Sequence, residues 1–164
     1  MIRKKICMLG TSAVGKTSLV RRFVTSMFSE KYLTTVGVKI DKKAVSLEGQ
    51  LVNLVLWDLH GEDQFQQLRS SYLRGAAGYL LVVDGTRRTT LNDALQLQAM
   101  VENLIHQIPF VVVLNKSDLT AQWELTPTDT DPLVARGWTV MRTSAKTGLG
   151  VEEAFLTLTR AMLS

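Results

Sequence analysis

Ile6-Cys7-Met8-Leu9-Gly10-Thr11-Ser12-Ala13-Val14-Gly15-Lys16-Thr17 is the stretch that decides the fold. Its apolar start reads as a strand, and Gly10–Thr17 fits the phosphate-binding pattern G-x-x-x-x-G-K-[ST]. Leu19, Val20, Phe23 and Val24 then recur at helical spacing, so a helix is predicted over Gly15–Thr25. Backbone N–H groups of such a loop wrap phosphate oxygens, and the helix that follows aims its positive end at them. Ser12, Ala13, Val14, Gly15, Lys16, Thr17 and Ser18 are therefore candidate phosphate-binding positions. Lys16 offers a mobile positive charge to the outer phosphates, and the Thr17 hydroxyl is a candidate Mg²⁺ ligand. The loop alone points to a nucleotide and leaves the base open.

At 164 residues the chain has the length of one domain able to bury its own core, and 1–164 is read as a single unit. Hydrophobic residues at 46% and charged residues at 21% exclude both a disordered chain and a membrane-spanning one. The longest strongly apolar run, Tyr79–Val83, is too short to cross a bilayer, and Arg3-Lys4-Lys5 leads into a strand rather than a signal segment. The single cysteine, Cys7, has no internal partner, which fits a reducing compartment, so a cytoplasmic protein is expected. The net charge of +4 comes from dispersed pairs such as Arg21-Arg22, Lys42-Lys43 and Arg87-Arg88, read as solvated surface. No aromatic residues interleave with them, so nucleic acid is not an expected partner.

Apolar runs alternate with helical patterns along the chain. Strands are predicted over Arg3–Leu9, Val36–Leu47, Leu51–Asp58, Gly78–Asp84, Phe110–Asn115 and Trp138–Arg142. Helices are predicted near Thr89–His106, Asp131–Gly137 and Gly150–Leu163, with Pro132 in the first turn of the second and Asp131 or Thr130 as its cap. A change of phase between Val36-Val38-Ile40 and Val45-Leu47 predicts a bulge or twist near Asp41–Lys43. The whole reads as a three-layer α/β fold: a six-stranded, mostly parallel sheet with one antiparallel edge strand and helices on both faces.

Two strand ends name the base. Asn115-Lys116-Ser117-Asp118 and Thr143-Ser144-Ala145-Lys146 fall at the carboxyl edge of the sheet, where open α/β folds bind ligands. The Asp118 carboxylate can accept two hydrogen bonds at once, and guanine offers a matching N–H pair at N1 and N2. Adenine offers neither, and such a mismatch discriminates by about 10⁴-fold or more.

With these residues in view, the chain resembles the Ras/Rab-like small GTPases over nearly its whole length. Gly10–Thr17, Thr35, Trp57-Asp58 with Gly61, Asn115–Asp118 and Ser144–Lys146 stand in the order and approximate spacing of that family's five motifs. Gly75–Gly78 and Thr147–Phe155 look like its members too. The resemblance implies the P-loop GTPase fold, GTP and GDP as bound nucleotides, and Mg²⁺ held by Thr17 and Thr35, with Asp58 acting through water. It implies that Phe28 lies against the guanine, Lys116 covers the base, and the Ala145 N–H meets the base carbonyl, beside Ser144 and Lys146. Thr35 and Gly61 would give N–H groups to the γ-phosphate, and effectors would read residues 28–38 and 59–74. An exchange factor and a GTPase-activating protein are the implied regulators.

The second switch departs from the family, which usually reads Asp-Thr-Ala-Gly-Gln; this chain reads Asp58-Leu59-His60-Gly61-Glu62. The usual glutamine orients the attacking water with an amide that both donates and accepts, whereas ionised Glu62 only accepts. Two negative charges about 4 Å apart repel by about 4 kcal/mol at an effective dielectric of roughly 20, so Glu62 is expected to swing away from the γ-phosphate. The catalytic candidates are thus Lys16, Thr35, Gly61 and Glu62, with slow GTP hydrolysis expected. A different outcome has His60 or Glu62 activating the water through a shifted pKa. Neither Ile2 nor the final Ser164 fits a lipidation motif, so either no lipid anchor is expected or the tail has been removed. The expected function is a guanine-nucleotide switch of the signalling or trafficking type. The alternatives are a non-catalytic GTP-bound interaction module, and an ATP-using kinase that would leave Asn115–Asp118 without a use.

Overall fold

The computed structural model describes residues 2–24, 31–33, 37–59 and 70–164. Strand β1 (Ile2–Leu9) lies inside the sheet with its last four residues fully buried. Ile6 and Met8 join one core layer and Cys7 and Leu9 the other, the period-two pattern of a strand covered on both faces. β4 (Gln50–Leu59) and β5 (Ala76–Asp84) flank it in parallel. β6 (Phe110–Asn115) and β7 (Thr139–Arg142) continue the parallel series on one side. On the other side β3 (Val38–Leu47) pairs antiparallel with β4.

The six expected strands are present. A three-residue strand, β2 (Lys31–Leu33), adds to the edge antiparallel to β3, giving the order β2-β3-β4-β1-β5-β6-β7. The start of the predicted second strand at Val36 lies outside the described residues.

Of the bulge or twist expected near Asp41–Lys43, the bulge is not there. β3 and β4 pair without a register shift from Val38↔Leu59 to Leu47↔Gln50. The phase of the sequence changes because different layers cover the two ends of β3. Val38 and Ile40 pack in one layer, and Val45 packs against the other. The Glu48-Gly49 turn has φ of 53° and 80° at its two residues, as a two-residue hairpin of the right twist requires.

Helices α1 (Lys16–Val24) and α5 (Val151–Leu163) cover one face. Their contact centres on Phe23 and Phe155, stacked with ring centroids 4.1 Å apart. The opposite face holds α2 (Ser70–Leu73), α3 (Arg88–Leu104) and α4 (Pro127–Ala135). α4 starts four residues before the expected segment, and Pro127 rather than Pro132 occupies its first turn. The physical reason is cap chemistry. The Thr126 N–H donates to Asp129 Oδ2 at 2.9 Å, and the Asp129 N–H donates in return to the Thr126 side chain. That exchange caps the helix at Thr126, so neither Thr130 nor Asp131 does. Pro132 then sits in the interior, where it only deprives the Thr128 carbonyl of one bond in a helix that ends three residues later. No helix among the described residues is long and apolar enough to cross a membrane.

Candidate functional site

Three parallel strands end side by side, and their ends carry the polar residues: Gly10 after β1, Asp84 at the end of β5 and Asn115 at the end of β6. The loop from Gly10 to Gly15 needs both of its glycines. A Cβ on Gly10 would meet Val82 O at 2.5 Å, and one on Gly15 would meet Asn115 Nδ2 at 2.2 Å, with φ of 152° and 103°. Ala13 also takes a positive φ, 64°.

Side-chain donors hold the carbonyls of this loop. Lys16 Nζ donates to Gly10 O at 2.9 Å and to Thr11 O at 3.3 Å. Lys116 Nζ donates to Ala13 O at 2.9 Å, and Asn115 Nδ2 donates to Val14 O at 3.0 Å. Arg87 Nη2 reaches Ser12 O at 3.0 Å. A trans peptide points its N–H opposite to its carbonyl. The N–H groups of Ala13, Val14 and Gly15 therefore turn away from these donors and form a concave, anion-accepting surface. Burial lowers the Lys16 pKa, while the Asp58 carboxylate opposes that shift.

A cavity of about 260 Å³ opens onto this surface, lined by Ser12, Ala13, the run from Gly15 to Ser18, Asp58 and Leu59. At its wall the Thr17 hydroxyl donates to Asp58 Oδ2 at 2.5 Å. Asp58 is fully buried, and its Oδ1 has no hydrogen-bond partner among the described residues. A buried carboxylate oxygen without a donor, beside a hydroxyl oxygen, is a donor set that suits a hard divalent cation. Thr17 and Asp58 thus fit the Mg²⁺ assignment. Thr35, the third candidate ligand, lies outside the described residues, as do Phe28, His60, Gly61 and Glu62.

A second cavity of about 670 Å³ shares Gly15 and Ser18 with the first and continues past Asn115, Lys116, Asp118, Ala145 and Lys146. Asn115 is the joint between them. While Nδ2 holds Val14 O, Oδ1 accepts from Thr143 Oγ1 at 3.1 Å and from the Ala145 N–H at 3.2 Å. Asp118 is fixed by Ser144, whose hydroxyl donates to Oδ1 at 2.7 Å. The carboxylate is therefore oriented before any ligand arrives. Ser144 Oγ in turn accepts from the Thr147 N–H at 3.1 Å. Every candidate site residue among the described positions thus gathers at one edge of the sheet.

Three residues of the site escaped the sequence reading. Asp84 is buried and accepts from the Thr86 N–H and hydroxyl, from Arg87 Nε at 3.0 Å and from Lys116 Nζ at 2.9 Å. Burial pushes its carboxyl up, but the donors of Thr86, Lys116 and Arg87 outweigh burial and hold it at about 2. Arg22 braces the far wall, donating to Ala145 O at 2.9 Å and to Lys146 O. Arg87, read from sequence as solvated surface, instead contacts the phosphate loop. The available signal was Asp84 itself, a carboxylate closing an otherwise apolar strand at the edge where Asp58 and Asn115 also stand.

Residues 5–164 match the Ras family. The chain is 36% identical over 162 residues to the Ras-related protein Rab-4 of Dictyostelium discoideum, which covers 98% of this chain and 79% of that protein. It is 34% identical over 161 residues to the GTP-binding protein ypt1 of Schizosaccharomyces pombe, covering 95% of this chain and 78% of that one. With a glycine loop, a carboxylate oriented by Ser144 and a cation-suited carboxylate on one sheet edge, the chain belongs to the Ras family of small GTPases.

Proposed function

We propose that this protein is a guanine-nucleotide switch that binds GTP and GDP with Mg²⁺, works in the cytoplasm and hydrolyses GTP slowly. The observation that carries the reading is Asp118, oriented by Ser144 at the rim of a cavity continuous with the phosphate loop. Its carboxylate accepts the N1–H and N2–H of guanine, and the Ala145 N–H faces the base carbonyl. The loop N–H groups and Lys16 take the phosphates, and Thr17 and Asp58 hold the cation, with Thr35 completing the set. When bound, Mg²⁺ would supply neutralisation of the phosphate charge. Lys16 and the loop N–H groups stabilise the charge that develops as water attacks in line. Thr35 and the segment from Leu59 to Arg74 order around the γ-phosphate and present an effector surface, which is released when that group leaves. Exchange and GTPase-activating proteins set the balance between the two states.

Displacement of a fluorescent GDP tests the reading. GTP and GDP should compete, and ATP should fail by about 10⁴-fold, as expected when a site's buried polar pair is left unmatched. Equal competition by ATP would refute the assignment of Asp118. The departures at Leu59, His60 and Glu62 favour a second reading, a GTP-bound interaction module without turnover. Mass spectrometry of the copurified nucleotide separates the two: GDP supports turnover, and persistent GTP supports the module.

A further inference from the structure

We propose that Asp84 and Arg87 form a brace that fixes the Ser12–Ala13 segment of the phosphate loop, and so act as positioning residues for nucleotide retention. The inference rests on the nucleotide-binding reading above and concerns residues that reading does not use. Arg87 Nε is held by Asp84 Oδ2 at 3.0 Å, and Nη2 of the same guanidinium donates to Ser12 O at 3.0 Å. The adjoining carbonyl, Ala13 O, is held by Lys116 Nζ, and that ammonium also pairs with Asp84 Oδ2 at 2.9 Å. One buried carboxylate thus aims two cations at two successive carbonyls of the loop.

The fork starts from a rigid base. The Arg87 N–H donates to Asp84 O at 2.9 Å. The Thr90 hydroxyl donates to Arg87 O at 2.7 Å, and the Asp84 N–H donates to Thr90 Oγ1 at 2.9 Å. The side chain makes no capping hydrogen bond to α3, although Arg87 is its first flanking residue. With 43% of the Arg87 side chain exposed and 2% of Asp84, removing the arginine opens no core cavity, whereas Asp84 is sealed inside. At position 87 the two contacts are made by two different nitrogens of one planar fork, Nε to the carboxylate and Nη2 to the carbonyl, a spacing that a single ammonium on a lysine there does not reproduce. Ala13 holds a positive φ of 64°, a conformation that persists only where its surroundings over-determine it. Releasing the neighbouring carbonyls lets that peptide turn and withdraws N–H groups from the phosphates.

The test is the release rate of a fluorescent GDP, chased with excess unlabelled GDP, from the whole chain. Arg87→Ala should release about fivefold faster than the parent, the effect of losing one net hydrogen bond. Asp84→Asn frees both cations and should exceed that, and Asp84→Asn with Arg87→Ala should match Asp84→Asn alone. Arg88→Ala is the control. Arg88 ties the same helix end to Asp129 at 3.2 Å and makes no hydrogen bond to the loop. A merely structural role would speed release equally in the Arg87 and Arg88 variants, and that result overturns the proposal. Full rescue by Arg87→Lys, or multiplied factors in the double variant, also overturns it. If Asp84→Asn does not fold, the Arg87→Ala and Arg88→Ala rates decide alone. A parent that binds no guanine nucleotide refutes the functional reading and this inference with it; a binding parent with an unchanged Arg87→Ala rate refutes only the brace.

Discussion

Asn115→Asp replaces one buried donor with an acceptor and keeps the shape. Asn115 is 1% exposed, and its Nδ2 lies 3.0 Å from Val14 O. After substitution an oxygen faces that carbonyl, while the other oxygen keeps the Thr143 hydroxyl and the Ala145 N–H. The unpaired Val14 carbonyl costs about 1–3 kcal/mol. The new carboxyl escapes much of the conflict by staying protonated and donating to Val14 O, so its folded pKa rises above the unfolded value of about 3.9. A rise of about 2 units corresponds to about 2.7 kcal/mol. The sign follows from linkage. Below about pH 4 both states are protonated and the variant lies close to the parent. As pH rises, the unfolded state ionises first and the variant loses stability, until the gap levels off above the folded pKa. Urea unfolding of parent and variant across pH 4 to 8 should show a gap that widens and then saturates. A gap constant across that range would refute the placement of Nδ2 against Val14 O.

Glu62→Gln should hydrolyse bound GTP faster than the parent in a single-turnover assay, because the amide can both donate to and accept from the attacking water; an equal or slower rate contradicts the water-positioning argument. Gly85→Ala should destabilise by about 1–3 kcal/mol through overpacking and should shift tryptophan emission. A Cβ there lies 2.1 Å from two Trp123 ring carbons, and the Glu124 N–H to Gly85 O bond of 2.9 Å prevents the loop from backing away; an unchanged unfolding midpoint would count against this packing. Burial pushes the Cys7 thiol up to about 12, with Lys5 opposing. The thiol therefore stays protonated in the fold while the unfolded chain ionises above about 8.5, so its contribution to stability is lost as pH rises beyond that value. Native protein should resist thiol reagents at pH 8 and react with one equivalent once denatured; rapid native labelling would contradict the burial.

Much of the site was legible in the chain because its chemistry is local. Gly10–Thr17 carries its own turn, cation and helix start, and α5 was expected over Gly150–Leu163 and found there, with Val151, Ala154, Phe155, Leu158 and Met162 buried on one face. The start of α4 was misjudged because two prolines compete for one first turn, and only the bonds between Thr126 and Asp129 settle which wins. β3 was given a bulge or twist because a strand covered by different layers along its length mimics a register slip in sequence.

Sequence by itself determined the glycine loop, the choice of strand and helix for most segments and the family, since each follows from residue type and spacing over a few positions. Only the tertiary structure decided how Asp84 and Arg87 serve the loop. Ser12 and Arg87 are 75 residues apart, and their hydrogen bond exists because parallel pairing brings β1 and β5 side by side with their ends at one edge. Hydrogen-bond geometry depends on distances of a few tenths of an ångström between such segments, and no local pattern in the chain encodes them.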